Sequence, residues 1–157
     1  MGIESLAAAL EREHREIDEG IEAFTADPPS GEDRDRQSLT RAISALRRHI
    51  YLEEEYLFPI LRGAGLMAPV FVMLREHGQM WTTLDVLEGE LDGGATDDQL
   101  KLCHHLTIQL QHHNLKEEKI LYSQTDAALT PSAAEQLREF LDSGKLPDGW
   151  VCQKAQA

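Results

Sequence analysis

The amino-acid sequence predicts an all-α protein: an up-down-up-down four-helix bundle with a short C-terminal helix and a tail. Three observations carry this. Apolar residues recur at three- and four-residue steps in four long segments. No segment alternates apolar and polar residues with period two, so no strand is expected. Short connections join the four segments, which makes neighbours pack antiparallel. The 157 residues fit one core of ordinary size. Residues 1–145 are assigned to the bundle and 146–157 to the tail.

The first helix carries Ile3, Leu6, Leu10, Ile17, Ile21 and Phe24 on one stripe, and "ADPPSGED" ends it. The second spans about Arg34 to Leu61, with Leu39, Ala42, Leu46, Leu57 and Ile60 facing in. The third covers roughly Pro69 to Leu91, with Val70, Leu74, Trp81 and Leu84 inside. In the turn that follows, Thr96 and Gln99 have capping-box spacing. The fourth helix runs to about Ala127 on Leu102, Leu106, Leu110 and Leu121. Thr130-Pro131 reads as a cap and first position for a fifth helix ending near Ser143-Gly144. "KLPDGWVCQKAQA" reads as a loosely ordered tail, pinned by Trp150.

The net charge of −13 argues against nucleic acid and anionic membranes as partners. Cys103 and Cys152 are too few for a disulfide framework and show no CxxC spacing, which points to a reducing compartment. Glu4, Glu11, Glu13 and Glu16 make the opening residues unlike a signal peptide. No apolar run reaches the length of a membrane span. A cytoplasmic protein is expected.

Ligand-type side chains interrupt the apolar stripes. His14 lies between Leu10 and Ile17, and His77 between Leu74 and Trp81. His49 and Glu53 lie between Leu46 and Leu57; His113 and Glu117 lie between Leu110 and Leu121. Residues four apart project side by side from a helix. A buried carboxylate without a partner costs several kcal/mol. A bound cation neutralises the carboxylates and accepts the imidazole lone pairs. The pattern also repeats: 35 residues separate His14 from His49, and 36 separate His77 from His113. Each half reads His, one hairpin, then His-x3-Glu. Four imidazoles and two carboxylates are too many for one tetrahedral zinc. They suit two metals, each with two histidines, bridged by the carboxylates. Mixed nitrogen and oxygen ligation with open positions points to iron before manganese or zinc. The bland alternative is a metal-free His-Glu hydrogen-bond network.

These stretches resemble the hemerythrin-like (HHE cation-binding) family. The likeness covers about residues 8–125 and rests on "EREHREI", "HIYLEEEYLFP", "REHGQ" and "HNLKEEKILYS". It implies His14, His49, Glu53, His77, His113 and Glu117 as ligands of two iron ions in a non-haem di-iron centre, with an oxo or hydroxo bridge. The chain departs from the oxygen-carrying hemerythrins, which have a second histidine one turn from the third-helix ligand. Met73 and Trp81 stand at that spacing here. Those proteins also end the site with His-x4-Asp, where this chain has His113-x3-Glu117, with Glu118 at the longer spacing. One iron thus loses a nitrogen ligand, and open positions favour reaction with O2, peroxide (H2O2) or nitric oxide (NO), in stress defence or redox chemistry. Peroxide decomposition or O2-dependent oxidation would be the enzyme form. The alternative is an iron or oxygen sensor, or an iron-holding protein without turnover.

Glu54, Glu55 and Glu118 are expected to be solvated or to support the ligands. His104, His105 and His112 fall off the ligand face. Tyr56 and Tyr122 read first as bundle-end aromatics that could approach the centre. Met73, Met80 and Trp81 read as packing, with Trp81 able to wall an open position. Cys152 is expected to be the more reactive thiol.

Overall fold

The computed structural model describes residues 4–155, so Ile3 of the first stripe lies outside the described residues. Helix α1 spans Leu6–Thr25. Ser5 caps it by accepting the Ala8 N–H. The Asp126 carboxylate accepts the Leu6 and Ala7 N–H groups at 2.9 and 3.2 Å. Helix α2 is α-helical over Arg36–Leu52, passes through a π-type turn at Glu53–Leu57, and ends as Phe58–Gly63. It begins two residues later than expected. Arg34 instead closes α1, donating to the carbonyls of Phe24, Thr25 and Ala26.

Helix α3 spans Met67–Leu91. Helix α4 is α-helical over Thr96–Lys116, takes a π-type turn at Glu117–Tyr122, and ends as Ser123–Ala128. The expected capping box does not form. Thr96 is already helical, Ala95 holds the cap position, and Gln99 turns back to donate to the Glu90 and Gly94 carbonyls. Helix α5 spans Pro131–Ser143, with Thr130 accepting the Ala133 N–H as its cap.

Helix α1 packs on α2 and α4, and α3 packs on α2 and α4, which closes an up-down-up-down bundle. A Cβ at Gly20 would lie 2.8 Å from Ala42 Cβ, so only glycine allows α1 and α2 this close. The interior divides into two apolar layers. One holds Ile17, Phe24, Leu46, Ile50, Trp81, Leu106 and Leu110. The other holds Leu10, Leu52, Phe58, Leu61, Leu74, Leu121 and Phe140. Each such side chain contributes about 1.5–3 kcal/mol by leaving water. The ligand-type residues named above fall between these layers along each helix.

The segment after α5 is not loose. Trp150 packs edge-on against Tyr51 and Trp81, and Cys152 is fully buried in the first layer. Its residues carry no helical period, so their packing leaves no mark on a periodicity plot. Among the described residues, no helix is long and apolar enough to cross a membrane.

Candidate metal centre

His14, His49, Glu53, His77, His113 and Glu117 meet at mid-bundle, each between 0 and 3 % exposed. They form two overlapping sets of ligand atoms. His14, His49, Glu53 and Glu117 make one; His77, His113, Glu53 and Glu117 make the other. Within each set the ligand atoms lie within 4.8 Å of one another. Glu53 and Glu117 belong to both. The two histidines of each set come from one hairpin, as the internal repeat requires.

The imidazoles are aimed by an outer ring of carboxylates. His14 Nδ1 meets Glu118 at 2.7 Å and His49 Nδ1 meets Glu13 at 2.8 Å. His77 Nδ1 meets Glu54 at 2.7 Å and His113 Nδ1 meets Glu76 at 3.0 Å. A carboxylate on Nδ1 fixes that nitrogen as donor and turns Nε2 inward. The ring obeys the same pseudo-two-fold as the ligands. The glutamate preceding each lone histidine (Glu13, Glu76) serves the other histidine of its own hairpin. The glutamate following each inner glutamate (Glu54, Glu118) serves the lone histidine of the opposite hairpin. Glu54 and Glu118 therefore hold the imidazoles of His77 and His14 in place. Glu13 and Glu76 were not singled out by the stripe pattern, although an Glu-His pair stands at both places in the sequence.

The outer ring is itself anchored. Arg48 donates to Glu13 and to the carbonyls of Phe140, Leu141 and Gly144 at the end of α5. Glu76 also pairs with Lys116. Glu54 accepts the backbone N–H of Gln153, and Glu55 accepts from the Trp150 indole.

The π-type turns begin at the inner glutamates themselves. Their i→i+5 bonding is seen at Phe58 N–H, which donates to the Glu53 carbonyl. The widened turn brings residue i+5 onto the ligand side. Tyr122 is thereby carried into the centre rather than left at the bundle end. Its hydroxyl reaches Glu53 Oε2 at 2.7 Å, Glu117 Oε1 and His49 Nε2 at 2.9 Å, and His14 Nε2 at 3.0 Å. Tyr56 stays apart, packed against Tyr51 and Phe140. His104, His105 and His112 are exposed. Trp81 packs on Trp150 under the Arg47 guanidinium.

The electrostatics suit a cation. Among the described residues, the ion partners of Glu53 and Glu117 are histidines alone. Glu117 Oε2 is buried with no hydrogen-bond partner, although His113 Nε2 lies 3.0 Å away. Burial and Glu117 push the Glu53 carboxyl up, and His49 and His77 outweigh them. Burial alone would depress the four imidazoles, but the facing carboxylates hold all of them above the ordinary value, His113 at about 10. Against burial, the facing imidazoles thus favour the charged form of the inner carboxylates, His49 and His77 at Glu53 and His113 and His14 at Glu117. A divalent or trivalent ion can take the place of the imidazole protons, using the lone pair that each Nε2 then presents. The donor set fits a metal, and so does Glu117 Oε2, which imidazole nitrogens face.

The model of the hemerythrin HHE cation-binding domain matches residues 3–125. The chain belongs to the hemerythrin HHE cation-binding domain family. The match ends just before α5, so the fifth helix and the packed C-terminal segment lie beyond it. A comparison with curated proteins finds no match, and neither does a comparison with solved structures. As an HHE domain with two buried His/Glu groups, the protein is suited to bind metal ions.

Proposed function

We propose that the six inner residues hold two iron ions and that the centre reacts with O2, peroxide or nitric oxide in oxidative or nitrosative stress defence. The observation that carries this is the pair of four-ligand sets sharing Glu53 and Glu117. Two histidines per ion and two shared carboxylates leave each ion short of six ligands. Bound iron would supply one-electron chemistry toward such small oxidants. The chain's own residues do the rest. His14 and His49 hold one ion, and His77 and His113 the other. Glu118, Glu13, Glu54 and Glu76 keep the imidazoles oriented. The two apolar layers exclude bulk water.

The burial of all six residues favours a small reactant over an organic substrate. An apolar cavity of about 240 Å³ lies on the α3–α4 side, lined by Pro69, Val72, Met73, Ile120 and Leu121 among others. Met73 is one turn before His77, and Leu121 one turn after Glu117. Such a cavity concentrates uncharged diatomics better than ions. The same sealed centre supports the second reading, an iron or oxygen sensor or an iron-holding protein without turnover.

The test is to mix reduced, iron-loaded protein with peroxide, O2 or nitric oxide in turn. Catalytic loss of one reactant, absent after iron is stripped, supports the enzyme form. A single stoichiometric spectral change without turnover supports the sensor or store. No reaction with any of the three would overturn the proposal.

A further inference from the structure

Five residues beyond each inner glutamate stands a buried aromatic ring: Phe58 after Glu53, and Tyr122 after Glu117. The two are pseudo-symmetric. Phe58 stacks on His77 with ring centres 5.4 Å apart and planes at 20°. Tyr122 stacks on His14 at 5.3 Å and 27°. Packing therefore needs a ring at each place, and Phe58 shows that it does not need a hydroxyl. The Tyr122 oxygen breaks the symmetry of the centre, and it does so in the set of His14 and His49 alone.

Four polar atoms surround that oxygen at 2.7–3.0 Å, namely Glu53 Oε2, His49 Nε2, Glu117 Oε1 and His14 Nε2. A phenol has one proton to donate and two lone pairs, so hydrogen bonding uses at most three neighbours. A different geometry uses all four. Adjacent ligands of an ion with bonds of about 2.1 Å stand about 3 Å apart. The oxygen is at that separation from each member of the first set, as the apex of a square pyramid is from its base.

We propose that Tyr122 Oη is a fifth protein ligand of the ion held by His14 and His49, which leaves the ion held by His77 and His113 as the more open one. This rests on the two-iron reading above. On taking up ferric iron, the Tyr122 O–H bond breaks, an Oη–iron bond forms, and the proton leaves to solvent. The two ions are then chemically distinct. The first has one open position fewer because of its tyrosine, and the second faces the helices that line the apolar cavity. The small reactant binds at the second.

The experiment compares wild-type protein and Tyr122→Phe, each loaded with ferrous iron and oxidised in air. Iron per chain is measured alongside the visible absorption and resonance Raman spectra. The expected wild-type result is two irons with a phenolate-to-iron band and tyrosinate vibrations under it. The expected Tyr122→Phe result is two irons with that band lost. Two irons in the wild type without a phenolate band would overturn the ligand and leave the two-iron reading standing. A band that survives in Tyr122→Phe would do the same. One iron per chain without the band would mean that the hydroxyl fills the first position in place of a metal, which overturns the proposal. Iron-free wild-type protein would overturn the reading beneath it. The wild-type spectrum decides the matter even if the variant does not fold.

Discussion

Glu54 lies 2.7 Å from His77 Nδ1 with one oxygen, and its other oxygen accepts the Gln153 N–H at 2.9 Å. One carboxylate thus joins an inner histidine to the C-terminal segment. The same logic holds at Glu13, which links His49 to Arg48 and through it to the end of α5. Both links run from the HHE domain to residues beyond the family match. Loss of a partner of this kind typically lowers metal affinity about 10- to 100-fold. Glu54→Gln and Glu13→Gln should each weaken iron binding in that range in a chelator competition. His105→Ala, an exposed control, should bind as the wild type does.

The close fit of the C-terminal segment gives a second prediction. A Cβ on Gly78 would lie 2.9 Å from Lys154 Cβ and 3.1 Å from the Lys154 backbone carbon. Backbone cannot swing aside as a side chain end can. Gly78→Ala should lower stability by about 1–3 kcal/mol. Trypsin should then cut at Lys154 faster than in the wild type. Unchanged proteolysis and an unchanged denaturation midpoint would show that the segment is not seated on α3.

The tail position of Cys152 marks it as the more reactive of the two thiols, but it is fully buried, as is Cys103. Burial pushes both thiols up to about 11. A thiol that stays protonated is a poor nucleophile. At pH 8 a thiol-specific reagent should label neither cysteine in folded protein and both after unfolding. Rapid labelling of one thiol in the folded state would contradict the packing described here.

Stability after metal removal should depend on pH in a defined direction. In the stripped protein, burial opposes protonation of His113, but Glu117 and Glu76 outweigh it and hold it at about 10 against an ordinary 6.5. A raised value gives stability that is complete below about pH 6.5 and is lost as pH rises toward about 10. Burial likewise pushes Glu76 up, and His113 and Lys116 outweigh it and hold it at about 2 against an ordinary 4.5. A lowered value gives stability present above about pH 4.5 and lost as pH falls toward about 2. Chelator-stripped protein should therefore be most stable between about pH 4.5 and 6.5, and less stable at pH 9 than at pH 6 in thermal melts. A rise in stability from pH 6 to 9 would contradict these pairings.

The bundle and the six inner residues were legible because both follow from a 3.6-residue period. An apolar stripe marks each buried face, and a polar residue on the stripe stands out against it. The residues that escaped do so for physical reasons. At about 3.6 residues per turn, Tyr122 falls two and a half turns from His113 and so faces away from it. The π-type turn at Glu117–Tyr122 rotates it back, and no residue in "EEKILY" announces that turn. Glu13 and Glu76 act on histidines of the neighbouring helix, so no spacing within one helix reveals them. The segment around Trp150 and Cys152 packs through contacts that repeat at no period.

The most direct test of the metal centre is the iron content of purified protein by elemental analysis, for the wild type and for His49→Ala, Glu53→Ala and His104→Ala. Two irons per chain are expected in the wild type and in His104→Ala, with a sharp loss in His49→Ala and Glu53→Ala. A folded wild type without stoichiometric metal, or equal iron in all four proteins, would mean that the buried histidines and glutamates are a core hydrogen-bond network and not a metal centre.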